Sequence, residues 1–403
     1  MTQSLRDKKV IPYGHQTIEE DDIAAVVSAL KGDFLTTGPL VKQYEDAFAA
    51  KVDVQHAVAC NSGTAGLHLA VMALGLGPGD IAVVPTMTFL ATANVVRFTG
   101  AEVLFADVDT ETGLLTEATL RQALATAPRE KVKAVLPVHL AGMVADMSSI
   151  AAVAAESSLI VIEDACHALG ATEVDGHRVG ACGHSRMSVF STHPVKTITT
   201  GEGGMLTTND AYLAAQARRL RNHGIERDPT RWTGRDTVGK SGAALPWYYE
   251  MSEAGYNYRL TDIACALGLS QLKKLDRFLA RRAELAARYD RLLAPLAPLV
   301  KVPARPKDIE PAWHLYAPRI DFDGLKRTRG EVMRALHEAG VGTQVHYIPV
   351  HHQPYYRSRY GDLHLPGADA YYRNTLSLPL FPAIADAEVD HVVAVLSKIA
   401  KIV

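Results

Sequence analysis

At 403 residues, with 48% hydrophobic and 21% charged side chains, the chain has the composition of a globular protein large enough for two domains, which excludes a disordered or fibrous class. Lys and Arg (42) nearly balance Asp and Glu (44), and a net charge of -2 lacks the basic excess that a general nucleic-acid or membrane-surface binder needs. Cys60, Cys166, Cys182 and Cys265 are too scattered for a disulfide framework or a zinc ribbon, the first nine residues lack the apolar core of a signal peptide, and no apolar run nears the roughly 20 residues of a bilayer span, so a cytoplasmic protein is expected.

In chain order, Ile18 to Lys31 has helical periodicity, with Ile23, Val26, Val27 and Leu30 on one face and acidic residues in the first turn. A loop, Thr36-Thr37-Gly38-Pro39, precedes a second helix carrying Val41, Tyr44 and Phe48. His56 to Cys60 then reads as a strand, Asn61-Ser62-Gly63-Thr64-Ala65-Gly66 as a small-residue turn and Leu67 to Leu74 as a helix. Such a turn leaves backbone N–H groups at the positive end of the helix dipole, a ready phosphate site; a plain capped helix start reads the same way. The stretch is shorter than a Walker loop and lacks the spacing of a dinucleotide fingerprint.

Strands at Ile81–Pro85, Glu102–Val108, Lys133–Val138 and Leu159–Asp164 alternate with helices at Phe89–Phe98, Glu117–Leu124 and Met147–Glu156. Near-continuous apolar strands alternating with helices predict an α/β fold with a mostly parallel sheet covered on both faces. Ligands gather beyond the carboxyl ends of such strands. Asn61–Ala65, Thr86–Phe89, His139–Gly142, Asp164–His167 and Ser191–Lys196 all fall there.

Asp164 ends the apolar run Leu159 to Ile162, where a carboxylate is costly to bury without a cationic partner. It could keep a pyridine nitrogen protonated, or cap the following helix. Glu163 alternates to the other side, as a solvated or capping residue. Met187 to Ser191 is another strand, leading through Thr192-His193-Pro194-Val195 to Lys196, then to the turn Gly201-Glu202-Gly203-Gly204 and a further apolar run, Met205 to Thr208. A lysine between Val195 and Ile198, at the mouth of two buried strands, is placed where desolvation lowers an amine's pKa for Schiff-base chemistry; the bland reading is a solvated loop lysine.

His223 to Met251, rich in Gly, Pro, Arg and aromatics, has no periodicity, and loops of that length usually serve function. Asp262 to Tyr289 reads as one long helix whose basic outer face, Lys273 to Arg282, is solvated. From about Asp290 strands and helices alternate in what looks like a smaller α/β domain, giving a large domain over 1–270, a small one over 271–403 and a connecting helix at about 262–290. Val341 to His352 reads as a polar, substrate-facing strand. Its histidines, His346, His351 and His352, come from one segment with no evident carboxylate or cysteine partner, so no metal site is expected.

Together these segments resemble the DegT-type (DegT/DnrJ/EryC1/StrS) nucleotide-sugar aminotransferases, fold type I enzymes that use pyridoxal 5′-phosphate. The resemblance covers nearly the whole chain. It rests on Ser62-Gly63-Thr64-Ala65, Pro85-Thr86-Met87-Thr88-Phe89, Glu163 to Gly170, Ser191 to Lys196, Gly201-Glu202-Gly203-Gly204 and Gly255-Tyr256-Asn257-Tyr258-Arg259-Leu260-Thr261-Asp262. It implies a three-layer α/β/α large domain, with Lys196 as the Schiff-base lysine and Asp164 on the pyridine nitrogen. It further implies Phe89 stacked on the ring, His167 near the phenolic oxygen, and Gly63, Thr64 and Ser191 on the phosphate. Asn257 would reach the cofactor of a partner subunit, making the working unit a homodimer, and Thr37, His193, Tyr258 and His346 would face the substrate. Some relatives carry histidine at the lysine position and are dehydratases; Lys196 argues for transamination, with glutamate as donor and a nucleotide-linked keto sugar as acceptor. Pro246-Trp247-Tyr248-Tyr249-Glu250, Ala266 to Lys273 and Gln344 to His351 look most like the branch that makes UDP-4-amino-4,6-dideoxy-N-acetyl-β-L-altrosamine for pseudaminic acid. The alternatives are a dTDP- or GDP-linked keto sugar, or a non-catalytic dimeric regulator with the same fold.

Overall fold

The computed structural model describes residues 10–234, 245–306, 309 and 311–400; the N-terminal nine residues and positions 235–244 of the long loop lie outside the described residues. Seven strands, β1 (His56–Cys60), β2 (Ile81–Pro85), β3 (Glu102–Ala106), β4 (Val132–Val135), β5 (Ile160–Asp164), β6 (Met187–Ser191) and β7 (Gly204–Thr208), form one sheet in the order β1-β7-β6-β5-β4-β2-β3. Only β7 runs against its neighbours, so the sheet is the mostly parallel one the alternating pattern predicts.

The strands are apolar on both sides because both faces are covered. Tyr44, Phe48, Ile150, Phe190 and Phe278 belong to the core on one face, and Leu67, Leu69, Val96 and Leu213 to that on the other. A third core, built around Leu285, Tyr289, Tyr316, Val332 and Leu396, occupies the C-terminal part and recruits Ile11, Leu140 and Met143. Ile11 joins it through the backbone: its N–H donates to the Gly340 carbonyl (2.9 Å) and its carbonyl accepts from Gly342 N–H (2.8 Å).

The first helix forms as expected but docks by a polar face, and two other sequence expectations are corrected. The first helix, α1 (Glu20–Leu30), does not bury the face carrying its large aliphatic residues: Ile23, Val27 and Leu30 are 48%, 40% and 54% exposed, while Asp22 is fully buried. The reason is a polar anchor. Asp22 accepts from Gln271 Nε2 (2.8 Å) and, with Glu19 (3.3 Å) and Asp21 (2.5 Å), surrounds the buried ammonium of Lys274, itself 2.7 Å from Asp22. The predicted single helix over Asp262–Tyr289 is two, Asp262–Leu272 and Leu275–Leu293, separated where Lys274 turns into that acidic pocket. Val341 to His352 is not a continuous strand: Val341 pairs with Ile11 and Gln344 with Ser377 as isolated bridges, and a short 3-10 turn closes it at Val350–His352.

Candidate active site

A cavity of about 530 Å³ opens where β5 and β6 end, and the sequence places its chemistry there for a topological reason. Parallel neighbours deliver Asp164 and Ser191, the last residues of adjacent strands, to the same edge, and the turn after β6 carries His193 and Lys196 over it. The opposite wall is the first turn of the helix Gly63–Ala73. Ser62 caps that helix, accepting from Ala65 N–H (3.0 Å), and its first N–H groups have no partner within the helix. Gly63 is needed for close approach: a Cβ there would lie 2.9 Å from Ser191 Cβ and 3.0 Å from Cys166 Sγ. The result is a narrow, donor-rich cradle suited to an anion.

Asp164 is 5% exposed and its carboxylate is held from two sides, by Thr92 Oγ (2.6 Å) and by Cys166 N–H (3.2 Å). Thr92, on the helix Leu90–Phe98, is in turn linked to Thr88 Oγ (2.6 Å). Burial lowers the pKa of Lys196, opposed by Cys166 and Asp164, so the amine is easier to deprotonate than an exposed lysine while remaining within the field of the carboxylate. His167 is buried, with its pKa pushed well below the ordinary value by desolvation and then by the nearby Lys196. Its Nδ1 accepts from Ala141 N–H (3.2 Å), which leaves the proton of the neutral ring on Nε2, 3.2 Å from Tyr347 Oη.

Gly63, Thr64, Phe89, Asp164, His167, Ser191, His193, Lys196 and His346 all line this cavity. Phe89 presents a ring 53% exposed, 5.7 Å from that of Tyr347. His346 Nδ1 is bonded to Ser377 Oγ (2.8 Å), and burial takes its pKa down to about 4. Thr37, Asn257 and Tyr258 are not part of the wall. Thr37 is exposed, Asn257 is exposed with its carbonyl near Asn61 Nδ2 (3.3 Å), and Tyr258 Oη meets His68 Nδ1 (3.1 Å). Sequence reasoning missed Thr92 and His314, whose ring centre is 4.3 Å from that of His167; neither sits in a motif, and only folding brings them near. Tyr347 falls inside the segment read as substrate-facing, with nothing in its immediate sequence to distinguish it.

Glu163 is a further correction. It is neither solvated nor a cap: it is fully buried, accepting from His139 Nε2 (2.9 Å) and Ser185 Oγ, while His139 Nδ1 accepts from Ala145 N–H (3.2 Å). Burial opposes its ionisation, but the bonds from His139 and Ser185 prevail and hold its pKa below the ordinary carboxylate value. Glu163→Ala should therefore cost about 1–3 kcal/mol, the usual effect of leaving a buried donor such as the His139 N–H without its acceptor, read as a lower urea midpoint. A depressed folded-state pKa contributes stability above the ordinary carboxylate value and loses it as pH falls through the folded one, so the gap between the two proteins should close on acidification. An unchanged midpoint at neutral pH would contradict this account.

Comparison with known proteins gives concordant matches. The model of the DegT/DnrJ/EryC1/StrS aminotransferase family matches residues 16–397. The chain is 41% identical to the spore coat polysaccharide biosynthesis protein SpsC of Bacillus subtilis (strain 168), over 97% of each chain. Among solved structures it is similar to Helicobacter pylori PseC, an aminotransferase involved in the biosynthesis of pseudoaminic acid (TM-score 0.87, 27% identity, 98% of this chain and 100% of that one). It is also similar to the PLP form of the putative sugar aminotransferase Spr1654 from Streptococcus pneumoniae (TM-score 0.85, 28% identity, 97% and 99% covered).

Proposed function

This chain belongs to the DegT/DnrJ/EryC1/StrS aminotransferase family, and on that premise we propose that it uses pyridoxal 5′-phosphate to move an amino group from glutamate to a nucleotide-linked 4-keto-6-deoxy sugar. The observation that carries the reading is the placement of Lys196 and Asp164 in one cavity, the amine with a pKa lowered by burial and the carboxylate fixed by Thr92. The residues present fit the cofactor. A donor-rich helix start at Gly63 and Thr64, narrowed by Ser191, would hold its phosphate, and Phe89 offers an aromatic face for its ring. When bound, the cofactor supplies an electron sink and a carrier for nitrogen.

The protein's own part is positioning and proton transfer. Asp164 would keep a proton on the pyridine nitrogen, its orientation set by Thr92 and the Cys166 N–H. Lys196 would take the proton from the glutamate Cα and return it at C4′, then run the same transfer in reverse for the sugar. His167, tied to Ala141 and Tyr347, is assigned to the phenolic oxygen, and His193 and His346 to the sugar side.

The favoured acceptor is UDP-linked, on the route to pseudaminic acid or a related surface glycan; similarity to PseC and to SpsC supports this choice. PLP-loaded protein should aminate a UDP-linked 4-keto-6-deoxy sugar in a panel that includes dTDP- and GDP-linked analogues, with glutamate as donor and the product amine read by mass. Failure to aminate any member would remove the proposal. We place this chemistry in the cytoplasm, in keeping with four free cysteines, and assign residues 1–270 to the cofactor-binding domain and 271–403 to the smaller one.

The reading includes a homodimer in which Asn257 serves the partner's cavity. Two features support it: Asn257 is exposed and off the wall of its own cavity, and Ile23, Val27 and Leu30 on α1, with Phe34 (54%) and Leu35 (49%), leave apolar surface uncovered. Inactive Lys196→Ala and Asn257→Ala chains, mixed and allowed to exchange, should regain activity at about a quarter of the wild-type level. That figure assumes random pairing, in which half the dimers are mixed and each carries one intact site. No recovery despite demonstrated exchange would place Asn257 in its own chain's service.

A further inference from the structure

A second cluster of ionisable groups lies before β6, at the end of that strand remote from Lys196. The chain between β5 and β6 folds back on itself: Thr172 bridges Arg178, Glu173 N–H donates to the His177 carbonyl (2.8 Å), and Gly176, at φ +87, makes the turn. This geometry puts Glu173, Asp175 and His177 on one tight loop, and the approach to β6 adds His184. Asp175 Oδ2 lies 2.9 Å from His177 Nδ1 and 2.6 Å from His184 Nε2, and Glu173 Oε2 lies 3.9 Å from the same His184 nitrogen. Gly183 leaves room for the arrangement, since a Cβ there would fall 2.9 Å from His177 Nδ1.

Glu173 supplies an independent observation. It is 5% exposed, yet both carboxylate oxygens are buried without a hydrogen-bond partner. Its buried neighbour Glu163 is satisfied by His139 and Ser185, so nothing in that network is left to serve Glu173. A buried carboxylate aimed at an imidazole and otherwise unpartnered calls for a cation or a proton.

We propose that Glu173, Asp175, His177 and His184 bind a divalent transition-metal ion of the zinc class, which staples the loop that feeds β6. Ligand atoms held about 2.0–2.2 Å from a tetrahedral zinc are about 3.3–3.6 Å from one another; those of Asp175, His177 and His184 all lie within 4.8 Å of one another, and Glu173, 3.9 Å from His184 Nε2, would turn onto the ion as the fourth ligand. Two imidazoles and two carboxylates form a donor set for zinc and its borderline neighbours rather than for calcium or magnesium. Cys182, two residues before His184, is not a ligand: its Sγ lies 3.5 Å from the carbonyls of Gly180 and Thr207.

The test uses the full chain, stripped with a chelator and titrated with zinc alone. Wild-type protein should take up one zinc per chain at micromolar concentration, with a rise in Tm that chelator reverses. Glu173→Gln should bind zinc at least tenfold more weakly, and metal-free it should be no less stable than wild type, because it removes a buried charge. That second reading separates a lost ligand from a misfolded chain. His184→Ala should weaken binding likewise. The proposal is overturned if wild type takes up no zinc, or if neither Glu173→Gln nor His184→Ala weakens its binding; the latter result would move the ion to the other candidate group among the described residues, His351, His352 and Asp369.

Discussion

Lys196→Ala should abolish transamination, by about 10³-fold or more, and leave the fold intact. Proton transfer by a placed side chain contributes about 10²–10⁴-fold, and under the proposed function this variant would also lose the amine that anchors the cofactor. Lys196 lies in the wall of the cavity rather than in any of the three apolar cores, so truncation opens no core void. Removing an amine whose charged form is disfavoured by burial should not lower stability. Circular dichroism and Tm should match wild type while steady-state turnover vanishes. Borohydride treatment of the PLP-loaded wild type should fix the cofactor to the peptide containing Lys196. Turnover within tenfold of wild type in the variant would sink the assignment.

Asp164→Asn should keep the cavity and slow the chemistry. The amide has the shape of the carboxylate, and the Thr92 hydroxyl can rotate to accept from it instead of donating, so the contact at 2.6 Å survives. What disappears is the negative charge that, under the proposed function, would keep a pyridine nitrogen protonated. Losing one such electrostatic contact commonly costs about 10²–10³-fold in rate, and the loss should appear in the half-reaction with glutamate under single-turnover conditions. Cofactor retention should fall much less than rate. An unchanged half-reaction rate would place Asp164 outside the chemistry.

Whatever depends on order along the chain was legible before folding. Apolar runs ending in Asp164 and Ser191, alternating with helices, dictate a parallel sheet whose ends meet, and the family's motifs lie at those ends because that is where the backbone delivers them. That Lys196 and Asp164 meet in one cavity was legible for the same reason: Asp164 ends β5, and Lys196 lies in the turn that follows β6.

Tertiary structure alone decided who partners whom. Nothing near Thr92 marks it as the donor to a carboxylate 72 positions away, and nothing near Glu163 announces His139 and Ser185. Periodicity identified an apolar face on α1 but could not show that the helix is docked by Asp22 to Gln271 and Lys274, leaving that face open. The same contact interrupts the helix predicted over Asp262–Tyr289, where local propensity has no reason to stop. Hydrophobic pattern reports which side of an element avoids water, a local property of the chain; hydrogen bonds and ion pairs between distant residues exist only once the sheet has set their separation, and so they are decided by the fold.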